Sequence, residues 1–158
     1  MEIIIRRATE KDKDAVAEIA GLGWTPIYNG YRDALTDEIY DKVYKEDPIK
    51  IKMKKMKEAV LEDRVFVAEA DGVICGFASY MIEGEVGALK ENSVHPDYKG
   101  RGIAGLLYEK LLELFRERGC SVARVMTGLD DAHAPARRAY EKLGFSKNTS
   151  SVTYYMEL

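Results

Sequence analysis

The segment that most constrains the fold runs from residue 86 to residue 119. Its first part, 86–94, is predicted to be a β-strand, and the polar loop His95-Pro-Asp-Tyr-Lys-Gly-Arg-Gly102 follows it. An amphipathic helix is predicted immediately after the loop, because apolar residues recur there at the spacing of a helix that lies against a sheet. These residues are Ile103, Leu106, Leu107, Leu111, Leu114 and Phe115. The unit predicts a layered domain in which helices cover a sheet.

Strand and helix signals fill the rest of the chain without a repeat, a low-complexity tract or a linker. Further strands are predicted at 2–8, 65–70, 73–82 and 122–126, with final strands at 145 and 151–156. Further helices are predicted from the N-cap Thr9 to a stop near Gly21–Gly23, on both sides of Pro48 between 35 and 61, and at 134–143. We therefore expect one α/β or α+β domain over residues 1–158, with a mixed sheet and helices packed on it.

Composition and charge exclude several classes of protein. The net charge of −3 over 158 residues does not favour a protein that binds nucleic acid or a membrane surface. The longest apolar runs are far shorter than a membrane span. The two cysteines, Cys75 and Cys120, stand far apart, which is typical of a reduced cytoplasmic protein. The two histidines, His95 and His133, have no partners at zinc-site spacing, so we expect no metal.

The loop before the amphipathic helix has the composition of an anion-binding turn. The first N–H groups of a helix lack partners, and the helix dipole favours negative charge there. Gly100 and Gly102 let the main chain approach a ligand, and Lys99 and Arg101 supply cations for phosphate oxygens. The loop lacks the Gly-Lys-Ser/Thr ending of nucleoside-triphosphate loops. Glycines here would equally serve a tight turn without any ligand.

Two motifs together resemble the GNAT superfamily of acetyl-CoA-dependent N-acetyltransferases. The pyrophosphate loop of that family reads Gln/Arg-x-x-Gly-x-Gly/Ala, and Lys99-Gly-Arg-Gly102-Ile-Ala104 matches it with Lys in the first position. Its second signature, Asn-x-x-Ala-x-x-x-Tyr-x-x-x-Gly-Phe, falls on His133, Ala136, Tyr140, Gly144 and Phe145, with His in place of Asn. The resemblance covers the whole chain as a single domain.

The resemblance implies a mixed, mostly antiparallel sheet with helices on both faces. It also implies transfer of an acetyl group from acetyl-CoA to an amine without a covalent enzyme intermediate. The residues that would contact the cosubstrate are Val94, Lys99, Gly100, Arg101, Gly102, Ala104 and His133. For His133, a contact with the cosubstrate and a purely structural place at a helix start are equally compatible with the sequence.

Three catalytic tasks follow from this reaction. By the resemblance, a strand bulge directs the backbone N–H of Val94 toward the thioester carbonyl, and Tyr140 protonates the departing thiolate. A proton acceptor for the amine is often an acidic residue at the position of Ala88, and this chain departs from that pattern. Glu85 and Glu91 flank the position, and the sequence does not decide which of them, if either, faces the site.

The acceptor is expected beside an aromatic segment, which is predicted to be a loop. Trp24, Tyr28 and Tyr31 would form walls that suit a small amine or a peptide N-terminus. Ordinary core packing of the same rings is an alternative. A catalytically weak acyl-CoA-binding sensor and an unrelated nucleotide-binding protein remain alternatives to an enzyme. Edge strands near the C-terminus make a homodimer an expectation as well.

Overall fold

The computed structural model describes all 158 residues, and its centre is one five-stranded sheet in the order β1-β2-β3-β4-β5. The strands are β1 (Ile3–Arg7), β2 (Val65–Ala70), β3 (Val73–Glu83), β4 (Val86–Val94) and β5 (Val122–Val125). The helices are α1 (Lys13–Ala34), α2 (Asp37–Val43), α3 (Pro48–Leu61), α4 (Ile103–Glu117) and α5 (Ala134–Lys142). Strands β1 to β4 pair antiparallel and β5 pairs parallel to β4, so the mixed, mostly antiparallel sheet is confirmed.

Helices cover both faces of the sheet, and each face has its own apolar core. On one face, α1 and α3 pack with Met56 and Val60 against Val67 and Phe77. On the other, α4 packs with Leu107 and other apolar residues against the opposite face of the same strands. Because strand side chains alternate between faces, adjacent strand residues serve different cores.

The predicted hairpin turn and the predicted helix boundary at Pro48 are both confirmed. Asp71 and Gly72 both have positive φ, +50° and +82°, as a two-residue hairpin turn between β2 and β3 requires. Asp47 caps α3, because its carboxylate accepts a hydrogen bond of 2.9 Å from the backbone N–H of Ile49. The prediction of two helices that meet near Asp47 is confirmed, with α2 ending at Val43 and α3 beginning at Pro48.

The predicted stop of the first helix near Gly21–Gly23 is wrong, because α1 continues to Ala34. The glycines here allow close packing. A Cβ on Gly23 would lie 2.3 Å from the Ser93 hydroxyl oxygen, and one on Gly21 would lie 3.1 Å from the Met53 sulfur. Tertiary contact with β4 and α3 thus outweighs the low helix propensity of glycine. The aromatic segment expected as a loop is helical for the same reason.

Two other predictions are corrected. Leu106, expected in the core, is 41% exposed, and Tyr108 lies buried on the inner face of α4 instead. The final strands expected at 145 and 151–156 do not form. The alternation of Val152, Tyr154 and Met156 suggested a strand, but these side chains are exposed.

The C-terminal segment instead reaches the α1–α2 corner. There the Thr36 hydroxyl donates a hydrogen bond of 2.8 Å to the Glu157 carboxylate. Strand β5 is an edge strand, and the homodimer expected through such an edge stays a prediction. None of the helices combines the length and the apolar composition that a membrane span requires.

Candidate active site

The sheet opens between β4 and β5, and this opening is the centre of the candidate site. The two strands pair only as far as Leu89 and Val125, while β4 continues to Val94. A β-bulge begins where the pairing ends, because two residues of β4, Lys90 and Glu91, lie opposite the single residue Ser79 of β3. A bulge bends its strand and increases its twist. We call the opening beside residues 92–94 the sheet gap.

One cavity of about 260 Å³ passes through the sheet gap, so it is lined from both faces of the sheet. We call its two sides the α1 wall and the α4–α5 wall. The α1 wall consists of Gly23, Trp24 and Ile27. The α4–α5 wall includes Tyr108, His133, Ala136 and Tyr140. Ligands that enter from opposite faces of the sheet can therefore meet in this cavity.

The backbone N–H of Val94 is directed into the sheet gap. The neighbouring His95 N–H donates a hydrogen bond of 2.8 Å to the Cys75 carbonyl oxygen on the β3 side. Successive N–H groups of a strand point to opposite edges, so the Val94 N–H points away from β3. On that side β5 has already ended. Val94 also lines the cavity with its side chain.

The predicted anion-binding loop leads directly into α4 with its helix N-terminus uncapped by any side chain. Gly100 and Gly102 both have φ of +77°, a conformation that favours glycine, and a Cβ on either would meet no atom within 4 Å. The space above this backbone is open. Lys99 lines the cavity. Arg101 is turned back on the loop, where it donates to the Asp97 carbonyl oxygen at 3.1 Å.

Tyr140 is buried, and its hydroxyl belongs to a three-residue hydrogen-bond chain. The Tyr108 hydroxyl donates to Asn92 Oδ1 at 2.5 Å, and Asn92 Nδ2 donates to the Tyr140 hydroxyl oxygen at 3.0 Å. Because the Tyr140 oxygen accepts from Asn92, its own proton remains available to another acceptor. Burial raises the pKa of Tyr140, while its contacts with Asn92 and Tyr108 act in the opposite direction.

Asn92 and Tyr108 were not identified from the sequence. Asn92 was assigned only to the strand, and Tyr108 follows the exposed Leu106 in a helix whose pattern is apolar. Asn92 is half-buried on its strand, and its amide has four hydrogen-bonding positions to satisfy, which favours a polar network. The partners, however, come from helices 16 and 48 residues further along the chain.

Neither flanking carboxylate lines the cavity. Glu91 lies among cations, with its carboxylate 2.5 Å from Lys55 Nζ and 3.4 Å from Lys52 Nζ. Burial alone would raise the pKa of Glu91, but these lysines and hydrogen bonds lower it to about 2. Such a carboxylate is a poor proton acceptor at neutral pH. Glu85 precedes β4 at its other end, nine residues and so roughly 30 Å from Val94.

The three predicted acceptor aromatics separate along α1. Trp24 lines the cavity in the sheet gap, and the Lys52 ammonium lies 4.8 Å from its ring centroid. Tyr28 lines a second cavity of about 350 Å³ between α1 and the α2–α3 corner. Tyr31 lines neither cavity and packs edge-on against Tyr28 at 5.5 Å between ring centroids. Mutual packing therefore accounts for Tyr31, while Trp24 faces the sheet gap.

His133 lies in the α4–α5 wall, as part of a pair with Asp130. Its Nδ1 is 2.6 Å from Asp130 Oδ1. Arg137 fixes this turn, because its guanidinium donates to the carbonyl oxygens of Gly128 at 2.6 Å and of Asp130 at 2.8 Å.

Comparisons with known proteins show the family and the fold of the chain. The acetyltransferase (GNAT) family model matches residues 16–145. The chain belongs to this family. An uncharacterized N-acetyltransferase of Methanocaldococcus jannaschii is 31% identical in an alignment of 138 residues that covers 77% of this chain and 60% of that protein. An acetyltransferase of Sodalis glossinidius is 37% identical over 89 residues, 56% of this chain and 61% of that protein. The chain thus covers about 60% of the length of these curated relatives.

Solved structures of GNAT proteins have the same fold. The PaiA N-acetyltransferase of Thermoplasma acidophilum, in complex with coenzyme A, superposes with a TM-score of 0.72 at 18% identity, covering 96% of this chain and 94% of the other. AAC(6′)-Iy, in complex with the bisubstrate analog CoA-S-monomethyl-acetylneamine, gives a TM-score of 0.64 at 17% identity over the full length of both chains.

Proposed function

We propose that this protein transfers an acetyl group from acetyl-CoA to a primary amine of a small molecule or peptide by direct attack of the amine. The observation that carries the proposal is the single cavity in the sheet gap. It joins the Lys99 end of the glycine loop, the inward N–H of Val94 and the wall that holds Tyr140. Membership of the GNAT family and the N-acetyltransferase names of its relatives support the same activity.

In this proposal the loop holds the pyrophosphate of acetyl-CoA. The N–H groups at the start of α4 would donate to phosphate oxygens, since no side chain caps them. Gly100 and Gly102 keep the approach open, Lys99 and Arg101 add positive charge, and the small Ala104 leaves room beside the cavity. This helix-terminus contribution acts through the backbone, so its largest part does not depend on charged side chains.

The chemical step then uses two groups of residues that line the cavity, the Val94 N–H and the Tyr140 hydroxyl. The amine lone pair attacks the thioester carbonyl carbon, and the Val94 N–H donates to the oxygen that gains negative charge. A preorganised donor of this kind is typically worth about 2.7–4 kcal/mol. When the C–S bond breaks, its electron pair remains on sulfur, and Tyr140 delivers its free hydroxyl proton there. Asn92 and Tyr108 position Tyr140 through their hydrogen bonds.

The acceptor would approach from the α1 wall. Trp24 and Ile27 give this entrance an apolar and aromatic surface. A structurally similar protein is an aminoglycoside N-acetyltransferase, which supports a small amine-bearing acceptor for this chain as one member of the class. Small amines and peptide N-termini share the same nucleophile, so both belong to the proposed acceptor class.

The test measures acetyl-CoA turnover with a panel of amines. The release of free thiol gives the rate. Spermidine, benzylamine, kanamycin and an alanine-initiated tetrapeptide represent the acceptor chemistries. We expect thiol release and an acetylated amine, with at least one acceptor well above the rate of acetyl-CoA hydrolysis. Calorimetric binding of acetyl-CoA without turnover on any amine would instead identify a sensor. Binding of a nucleotide such as ATP, with no binding of coenzyme A, would overturn the cosubstrate assignment.

A further inference from the structure

The protonation state of the acceptor creates a demand that Tyr140 and Val94 do not meet. An amine with a pKa near 10.4 is about one part in two thousand unprotonated at pH 7, a penalty of roughly 4–5 kcal/mol. Some group must remove a proton before the nitrogen can attack. Glu91 is bound by lysines, Glu85 is remote and Ala88 carries no acid.

We infer that the His133–Asp130 pair is the general base that accepts the proton of the acceptor amine. This inference rests on the proposed acetyl transfer and adds its missing group. His133 lines the cavity in the sheet gap, and its Nδ1 faces the Asp130 carboxylate at 2.6 Å. With a proton on Nδ1 shared with that carboxylate, Nε2 carries the free lone pair. A carboxylate behind an imidazole fixes the tautomer and stabilises the imidazolium that forms.

The pair occupies a site that is shaped to hold it. A Cβ on Gly128 would lie 2.3 Å from Asp130 Oδ1 and 2.5 Å from His133 Nδ1, so the two side chains pack directly on the backbone of residue 128. Arg137 fixes the same turn through two carbonyl oxygens. The His133 side chain is only 18% exposed, and that of Asp130 is 37% exposed. The imidazole is therefore held in one orientation.

The placement of the pair brings the base and the acid to one wall of the cavity, because His133 and Tyr140 both line it. His133 ends the short 3-10 turn that leads into α5, and Tyr140 follows seven residues later within α5, roughly 10 Å further along the helix axis. The small Ala136 between them leaves space for the reacting groups. The turn 131–133 also contacts α1, the helix that forms the opposite wall. The pair thus lies on the α4–α5 wall, close to the helix from which the acceptor would approach.

The proton balance of the step is complete. The ammonium gives one proton to His133 Nε2, and the amine then forms the C–N bond as described above. After attack, the nitrogen loses its second proton, which replaces the proton that Tyr140 gives to sulfur. The imidazolium returns its proton to solvent. The products are an amide, a free thiol and one released proton.

Other titratable and charged groups surround the imidazole and enter any pH dependence. From each element that packs around it, these groups are Asp130 on its own turn, Arg137 and Tyr140 on α5, Tyr31 on α1, Lys90 on β4 and Lys99 on the loop. Of these, only Asp130 contacts the imidazole by a hydrogen bond.

The test compares His133→Asn and Asp130→Asn with the wild type, using the best acceptor of the amine panel. Asn keeps a polar side chain at position 133 but accepts no proton near neutral pH. We expect kcat/KM at pH 7 to fall by about 10²–10⁴ in His133→Asn, with acetyl-CoA affinity unchanged by calorimetry. The deficit should shrink about tenfold per pH unit toward the pKa of the amine, because the free amine no longer needs a base. Asp131→Asn, an exposed neighbour with the same charge change, is the control and should match the wild type.

The opposing outcomes are distinct. The inference is overturned if the loss of kcat/KM in His133→Asn stays constant with pH, or if acetyl-CoA affinity falls by the same factor. Either result would make His133 a structural residue or a cosubstrate contact. Nitrogen NMR of the imidazole gives a readout that needs no acceptor, since His95 is the only other histidine. We expect the neutral imidazole to carry its proton on Nδ1 and to leave Nε2 free, with the tautomer redistributed in Asp130→Asn. A wild-type tautomer protonated on Nε2 would overturn the base even if acetyl transfer is established.

Discussion

The two walls of the sheet gap differ in how the sequence specifies them. The α4–α5 wall and its loop use local signals: a strand end, glycines with positive φ and a helix start within ten residues. The α1 wall depends on a helix that passes through two glycines because β4 and α3 approach it closely. The first wall is therefore readable from a short motif, and the second is determined by tertiary packing. We expect the α4–α5 wall to carry the chemistry that a family shares. We expect the α1 wall to determine which acceptor binds.

The largest effect is expected at Tyr140. Tyr140→Phe keeps the ring and its packing and removes only the hydroxyl. We expect kcat to fall by about 10²–10⁴, because the departing thiolate loses its proton donor. Acetyl-CoA affinity should stay unchanged, since this contact matters chiefly when charge develops on sulfur. Both quantities are measured on one preparation, and a Phe variant with wild-type kcat would remove Tyr140 from the catalytic groups.

The loop can be tested with two glycines at opposite ends of α4. Gly102 and Gly119 have φ of +77° and +79°, and a Cβ on either meets no atom within 4 Å. Gly102→Ala and Gly119→Ala should therefore cost a similar free energy of unfolding, about 1–2 kcal/mol. Only Gly102→Ala should weaken acetyl-CoA binding, by about tenfold or more, as hydrogen bonds to an anion are lost. Equal calorimetric affinities in the two variants would contradict the assignment of the loop.

The hydrogen-bond chain behind Tyr140 should have a smaller effect on the rate. Asn92→Leu leaves the hydroxyls of Tyr108 and Tyr140 without their shared partner. We expect kcat to fall about tenfold, in line with the roughly 1–1.5 kcal/mol of one hydrogen bond. Tyr108→Phe, which leaves the Asn92–Tyr140 contact in place, should lose less. If Tyr108→Phe lost as much kcat as Asn92→Leu, the direct contact would not be the one that positions Tyr140.

The α1 wall should respond in acceptor binding alone. Trp24→Leu is expected to raise the KM of the acceptor several-fold, since aromatic contacts with a cation are worth about 0.5–2 kcal/mol. Tyr28 lies outside the cavity in the sheet gap, so Tyr28→Leu should change this KM less. Acetyl-CoA affinity should be the same in both variants. A larger effect at Tyr28 would show that the acceptor extends into the second cavity.

The smallest effects are expected for the two loop cations. Lys99→Ala and Arg101→Ala each remove one exposed charge while the backbone cradle remains. Acetyl-CoA affinity should fall only a few-fold, and the loss should shrink at high salt, because exposed charges are screened within about 8 Å at physiological ionic strength. Arg101→Ala should lose less than Lys99→Ala, as the guanidinium is bound to the Asp97 carbonyl oxygen. Losses that do not depend on salt would indicate a structural role.

The sequence predictions were correct where the signal is local and wrong where tertiary packing decides. Periodicity and turn residues predicted the five strands of the sheet and α4, because each signal lies within one element. The extent of α1 was mispredicted, since the contacts that override Gly21 and Gly23 come from Met53 and Ser93. The Asn92–Tyr108 contact and the orientation of His133 toward Asp130 also depend on side-chain placement in three dimensions. The sequence named Tyr140 and His133, but their partners required the fold.

In the proposed reaction, thioester and amine meet in one cavity and react directly. No thiol lines this cavity: Cys75 is buried elsewhere, where its Sγ donates to the Ala68 carbonyl oxygen and burial raises its pKa. Initial rates measured while acetyl-CoA and the best acceptor are both varied test the claim most directly. Direct transfer requires both substrates to be bound at once, so we expect intersecting double-reciprocal lines. Parallel lines, the kinetic sign of a covalent acetyl-enzyme, would contradict it.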